Sequence, residues 1–376
     1  MIRISSCAIR RNICSAQERD AAKIARRTYL PALGLFVKLI MTDLRPKPEN
    51  KIAVVVPSFR VKSHIIEVLN GIGPKVWRIF VIDDCCPDGS GDFVRQHCRD
   101  PRVEVLRNKQ NLGVGGAVLA GYRAAVAAGA DIIVKIDGDG QMDPALLSHF
   151  VAPIISGEAD YAKGNRFYNL ENVRSMPAVR LAGNAVLSFM TKFSSGYWNI
   201  FDPTNGYTAI HANIVRILPL EKIKKRYFFE SDMLFRLNTV RAKVVDIPML
   251  ARYADEKSNL SVHKVITEFF WHNIANGCKR IFYSYFLRDF SVATLELVFG
   301  LLLLTGGVIF GAVEWVIHAR QNTFASTGTV MLSALPVLSG LQLLLAFINY
   351  DVATVPSNAI HGQLIAENQP RKEGEL

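Results

Sequence analysis

Cysteine is scarce and unpatterned. The chain has six in 376 residues, Cys7, Cys14, Cys85, Cys86, Cys98 and Cys278. None stands in CxxC spacing, which excludes zinc-ribbon and thioredoxin-like chemistry, and six is too few for a disulfide scaffold. They read as reduced thiols of a cytosolic compartment. Acid is the scarcer charge, with 33 Asp+Glu against 44 Lys+Arg and a net charge of +11. Charged residues make up only 20% and hydrophobic ones 50%, which excludes a disordered or low-complexity chain. The basic residues are dispersed and no nucleic-acid-binding module is recognisable, so no nucleic-acid partner is expected. Anionic lipid heads and phosphorylated substrates suit the charge equally well. The glycine-rich stretch 111–122 lacks the Lys-Ser/Thr of a P-loop, which excludes that class of ATPase.

Charge is missing most completely near the C-terminus. Residues 292–313 carry only Glu296 and residues 321–350 carry none. Each run exceeds the ~20 residues that cross a hydrocarbon core, and a two-helix transmembrane hairpin over 291–350 is expected, with a kink at Pro336. The segment before the first run holds Lys264, Lys279, Arg280 and Arg288, and the connection holds only Arg320. By the positive-inside rule the preceding domain and the tail, 351–376, are cytoplasmic. Gly306-Gly307 permits a close helix contact, and a homo-oligomer stays open. Residues 261–290 repeat apolar positions every three to four residues among aromatics and basic side chains. This predicts amphipathic juxtamembrane helices, one or two joined near Asn276-Gly277, at a membrane interface or packed on the domain. Residues 1–50 are unlike the rest. They are either a basic membrane-surface arm or lie ahead of a start at Met41.

Residues 51–260 alternate strands with helices. The strands expected are 52–57, 78–83, 103–107, 132–137 and 243–248, forming a mostly parallel sheet covered on both faces. Ligands of such sheets bind beyond the carboxyl ends of the strands, where Asp83-Asp84 and Asp137 stand. In IDGDGQMDP (136–144), Asp137 and Asp139 flank one glycine. Two carboxylates at that spacing can hold a hard divalent cation, with Gln141 offering a further oxygen. In VIDDCCPDGSGD (81–92), Asp84 can accept a base N–H or a ribose hydroxyl. In NLGVGGAVLAGY (111–122), the glycines admit a ligand or a closely packed helix.

Together VVVPSF, VIDDCCPDGS, NLGVGGAVLAGY, KIDGDGQMDP, KGNRF (163–167), DPTNGY (202–207), FFESDM (228–233) and ARYADEKSNL (251–260) resemble the family-2 glycosyltransferases. Within them the likeness is to polyisoprenyl-phosphate sugar transferases, the group of dolichyl-phosphate mannose synthase and the bactoprenol-phosphate glucosyltransferases. The resemblance implies an α/β fold: a Rossmann-like, GT-A nucleotide-diphospho-sugar transferase domain, then interface helices and the transmembrane hairpin. It places Pro57 and Asp84 at the nucleotide, and Asp137, Asp139 and Gln141 around Mg or Mn with the donor diphosphate. It sets Arg166, Arg180 and Arg252 near phosphate, and Asp202 and Asn205 on the acceptor side. Val61 departs from the acidic residue usual after the first strand, and Lys257 stands in the loop that covers the donor in relatives.

The resemblance implies a metal-dependent, inverting transfer of a sugar from a nucleotide-diphospho-sugar to a polyprenyl phosphate on the cytoplasmic face of the inner membrane. A lipid phosphate is already anionic and needs no base. The alternative, elongation of a lipid-linked glycan through a hydroxyl, needs one, and Asp232 is the expected candidate, with Glu230 its neighbour two residues earlier. A third reading, a transferase-like membrane scaffold, has no use for Asp137, Asp139 and Gln141.

Overall fold

The computed structural model describes residues 50–168, 178–250 and 262–367. The expectations for residues 1–49, Arg252 and Lys257 lie outside the described residues. Seven strands form one sheet: β1 (Ile52–Ser58), β2 (Val76–Asp83), β3 (Val103–Arg107), β4 (Ile132–Lys135), β5 (Tyr161–Asn165), β6 (Thr208–His211) and β7 (Val244–Pro248). Their order is β3-β2-β1-β4-β6-β5-β7. β6 runs antiparallel to both its neighbours, and all other pairs are parallel. The sheet is therefore mixed. All seven residues of β1 are buried, as expected of an apolar run covered on both faces. One face packs under α3 (Val114–Ala127), with Val118 and Tyr122 against Val55 and Phe80. The other packs under α1 (Ile65–Gly71) and α4 (Leu147–Ile155) through Leu69 and Phe150. Between α1 and α3 lies α2 (Ser90–His97).

β5 and β6 escape the sequence pattern. YAKGN contains Lys and Gly, and TAIH has four residues, so neither shows the branched alternating run that marks a strand. β4 stops at Lys135, paired beside Val55 of β1, so Ile136 and Asp137 begin the following loop.

Helices α5 (Ala178–Ser195), α6 (Ala212–Ile217) and α7 (Phe229–Thr239) complete the domain. α8 (Val262–Ile281) passes through Asn276-Gly277 without a break and continues into a π-helical turn, Phe282–Arg288. It joins the domain through buried Asn273, Asn276 and Arg280, while Phe270, Trp271, Phe282, Leu287 and Phe290 are exposed. Packing on the domain and presentation of an apolar face, set apart in the sequence reading, occur on the same element.

α9 (Val292–Gln321) and α10 (Thr327–Ala353) are long and apolar enough to cross a membrane and pack together as a hairpin. Their outer faces expose Leu302, Ile309, Leu332 and Leu338, which fits lipid rather than water. The helices approach most closely at Gly340, where an added Cβ would lie 2.5 Å from the Leu304 backbone nitrogen. Of the expected Gly306-Gly307 pair, only Gly307 meets the partner helix. The foot of the hairpin is fastened by buried Asp351. It accepts hydrogen bonds from Arg280 Nη1 (2.6 Å) and Nη2 (2.9 Å), Trp198 Nε1 (2.8 Å) and the Tyr285 hydroxyl (2.6 Å).

The expected tail, 351–376, is not a free segment in its described part. Asp160 accepts from the backbone N–H of Ile360 (3.0 Å) and His361 (2.8 Å). The His361 ring stacks on His211 at 4.3 Å, and α11 (His361–Glu367) lays Leu364 against the core. Both ends of the hairpin thus attach to one domain.

Candidate active site

A cavity of about 480 Å³ opens at the carboxyl ends of β1, β2 and β4. Pro57 and Phe59 come from β1 and its exit, Asp84 from the exit of β2, and Asp137 and Asp139 from the loop after β4. Arg226 and Tyr227, just before α7, close one side. The structure therefore gathers Pro57, Asp84, Asp137 and Asp139, which lie in three separate motifs, on one cleft.

Asp84 is buried and its carboxylate is committed. It accepts from Asn108 Nδ2 (2.7 Å), the Leu112 N–H (3.0 Å) and the Gly113 N–H (2.7 Å). Its observed work is to hold the loop before α3 against the cleft, a role beyond the nucleotide contact expected of it. Asp137 stands beside Lys135, which is fully buried. Lys135 Nζ lies 2.9 Å from Asp137 Oδ1 and 3.4 Å from Glu230 Oε1. Burial works against the ammonium charge, but Asp137 and Glu230 outweigh it and hold Lys135 above the usual lysine value. Gly206 of DPTNGY makes room for this pair, because a Cβ there would lie 2.5 Å from Lys135 Nζ and 2.6 Å from Asp137 Oδ2.

Asp139 Oδ1 accepts from the Gln141 N–H at 3.0 Å, which curls the loop so that 137, 139 and 141 share one turn. Asp137 and Asp139 present carboxylate oxygens to the cleft, the donor type that suits a hard dication. Among the described residues no group of three or more His, Cys, Asp or Glu could hold a metal. A cation here would draw its remaining oxygens from Gln141 and from a ligand.

Asp202 and Arg166 were expected on opposite sides of the reaction, and the structure joins them. Arg166 Nε lies 2.7 Å from Asp202 Oδ2, and its Nη2 is 3.1 Å from Oδ1, a bidentate pair on a fully buried carboxylate. Asn205 is buried beside them, with its Nδ2 3.3 Å from Asp202 Oδ2. Its backbone carbonyl accepts from Lys163 Nζ. Burial pulls Lys163 down to about 8, against the pull of Glu230 and Asp202. Burial likewise pushes Asp246 of β7 up to about 6. Arg180 is on α5 by its backbone.

Asp232, the expected base, is buried and already engaged. It is 1% exposed, and its oxygens accept from Asn276 Nδ2 (2.8 Å) and the Lys224 N–H (2.9 Å). It pins α8 to α7. Two residues earlier on the same helix, Glu230 points in a different direction, as the 100° step of a helix requires, and meets Lys135 beside Asp137. Lys135 and Glu230 lie inside the quoted motifs, but the sequence reading gave Lys135 no role and did not pair it with Glu230. A lone lysine in the apolar strand IIVK was the available signal.

A carboxylate-lined cleft at the strand ends of an α/β sheet is where ligands of such sheets bind. The glycosyl transferase family 2 model matches residues 53–218. The chain is 32% identical over 173 residues to an undecaprenyl-phosphate mannosyltransferase of Micrococcus luteus, covering 46% of this chain and 70% of that one. It is 26% identical over 221 residues to a UDP-N-acetylglucosamine–dolichyl-phosphate N-acetylglucosaminyltransferase of Methanococcus voltae, covering 55% and 88%. A solved structure of glucosyl-3-phosphoglycerate synthase from Mycobacterium tuberculosis aligns with a TM-score of 0.46 and 18% identity, over 61% of this chain and 80% of that one. The chain belongs to glycosyl transferase family 2. It is a glycosyltransferase with the GT-A fold.

Proposed function

We propose that the protein transfers a sugar from a nucleotide-diphospho-sugar to a polyprenyl phosphate at the cytoplasmic face of the inner membrane. The observation that carries this is the pairing of one carboxylate-lined cleft with an apolar hairpin whose two ends are tied to the same domain. The relatives whose names include undecaprenyl and dolichyl phosphate support the acceptor class. Asp137 and Asp139, with Gln141, would hold Mg or Mn. When bound, the ion would neutralise charge on the departing diphosphate.

The side chains present favour an acceptor that needs no base. Asp232 is spent on Asn276 and Lys224, and Glu230 faces the Lys135 ammonium. A phosphate acceptor is already anionic and reacts once held in line. One displacement inverts the anomeric centre. Pro57 and Asp84 line the nucleotide end of the cleft, and Arg226 is placed to meet donor phosphate through its forked N–H groups. Arg166, held on Asp202, positions the acceptor side together with Asn205. Arg180 and Arg252 keep the phosphate roles implied by resemblance.

The test is transfer of radiolabel from a panel of nucleotide sugars to polyprenyl phosphate in detergent, with Mn or Mg. Label is expected in the lipid fraction, and EDTA is expected to abolish it. Asp139→Asn is expected to lose at least a hundredfold in turnover, on the order of a lost electrostatic contact in a transition state, with an unchanged melting temperature. Label entering only a glycan hydroxyl would overturn the acceptor assignment. Full turnover in Asp139→Asn would overturn the metal assignment.

A further inference from the structure

A second cavity, of about 230 Å³, lies at the foot of the hairpin, away from the cleft. It is at the far end of α7 from Glu230. Nine residues separate Glu230 from Thr239, which spans roughly 14 Å at 1.5 Å per helical residue. Its walls include Ser284, Tyr285, Arg288 and Asp289, which precede α9, and Tyr350, Asp351 and Thr354, at the end of α10. If α9 and α10 cross the bilayer, this cavity is therefore at headgroup depth.

Three arginines line it. Arg280 is neutralised by Asp351. Arg241 and Arg288 are exposed, and among the described residues neither has a carboxylate within ion-pair distance. Each is nonetheless held in place. Arg241 Nη2 donates to the Thr354 carbonyl at 2.7 Å, and Arg288 Nη2 donates to the Thr239 carbonyl. Those bonds cap the last turns of α10 and α7, where cations are favoured. A guanidinium has five N–H donors, so most of each fork remains for another acceptor. Arg241 also keeps a left-handed backbone, φ +61°, uncommon for a residue with a Cβ. Asp289 shares the rim, and the lining still sums to a positive charge. Leu287, Phe290 and Val292, at 64%, 67% and 69% exposure, form an apolar surface on the adjoining turn.

We infer that this cavity is a binding site for the phosphate headgroup of an anionic phospholipid, with Arg241 and Arg288 as its ligands and the Leu287–Val292 surface beside its acyl chains. Basic pockets beside membrane helices take anionic headgroups in this way. The cavity has about half the volume of the cleft, and it holds no carboxylate pair at DxD spacing. It suits a phosphodiester rather than a sugar nucleotide. The inference rests on the membrane reading of the hairpin.

The experiment uses the full chain. Native mass spectrometry from detergent, with equimolar dioleoylphosphatidylglycerol and dioleoylphosphatidylcholine, is expected to show retained phosphatidylglycerol in excess. Melting temperature should rise with phosphatidylglycerol and not with phosphatidylcholine. Arg241→Gln with Arg288→Gln is expected to weaken phosphatidylglycerol binding on the order of thirtyfold, from two basic contacts, while nucleotide binding at the cleft stays unchanged and reports a folded protein. An unaltered preference in that variant overturns the site. Equal retention of the two lipids by the wild type overturns it too, whether or not the variant folds. Protection of the wild type by inorganic phosphate to the same degree assigns the site to free phosphate and overturns the lipid. Flotation with phosphatidylcholine vesicles separates the two readings. Protein that floats but shows no selectivity loses the headgroup site alone, and protein that does not float loses the hairpin reading.

Discussion

Lys135 is where burial and charge meet most sharply. Its side chain is 1% exposed, and Asp137 and Glu230 share its ammonium. Removing one partner of a buried charge cluster leaves the rest uncompensated, at about 3–5 kcal/mol. Lys135→Met is therefore expected to lower the urea midpoint by a loss of that size, and Glu230→Gln added to it should restore part. If the two changes simply add, the charge pairing is not what the lysine supplies. Asp246 gives a pH dependence with a definite sign. Its carboxyl is pushed up to about 6 by burial, from about 3.9 in an unfolded chain. Between those values the folded state binds more protons, so this group takes stability away as pH rises through the window. Asp246→Asn is expected to melt several degrees above the wild type at pH 7.5 and to match it near pH 4. An equal difference at both values would refute the burial cost.

Elements show why some motifs were legible and others were not. The cleft strands β1, β2 and β4 are apolar runs, with acids at the end of β2 and in the loop after β4, and their order of motifs already points to one edge of a sheet. β5 and β6 carry buried polar residues, Lys163 and Thr208, which only their neighbours make tolerable. In α7 the phase of the helix decided between Glu230 and Asp232. FESDM alone states that the two differ in direction, but not which one meets Lys135 and which one meets Asn276. In the hairpin the two glycine sites differ in the same way. Gly340→Val is expected to separate α9 from α10 and to lower thermal stability in detergent. Gly306→Val, with no heavy atom within 4 Å of its added Cβ, is expected to be silent. Equal effects would mean that the crossing point lies elsewhere.

At the scale of the whole molecule, the chain closes on itself after the hairpin. Asp160 is fully buried and accepts from the Ile360 and His361 N–H groups as well as from Lys243. Deleting residues 357–376 leaves that carboxylate with one of its backbone partners. A loss of roughly 2 kcal/mol or more is expected, at the value of hydrogen bonds to a charged group. The check is the melting temperature of the shortened chain, and no change would show that the returning segment adds nothing to the domain. The sequence by itself determined the α/β class, the cleft acids Asp84, Asp137 and Asp139, and the two apolar spans. Each is written in local spacing or in a run of one residue class. Only the tertiary structure decided that Arg166 sits on Asp202, that Lys135 joins Asp137 to Glu230, that Asp232 is a fastening, and that Asp351 anchors the hairpin. The Arg166–Asp202, Lys135–Glu230, Asp232–Asn276 and Asp351–Trp198 contacts join residues from 36 to 153 positions apart, and no local pattern encodes which charges share a buried space.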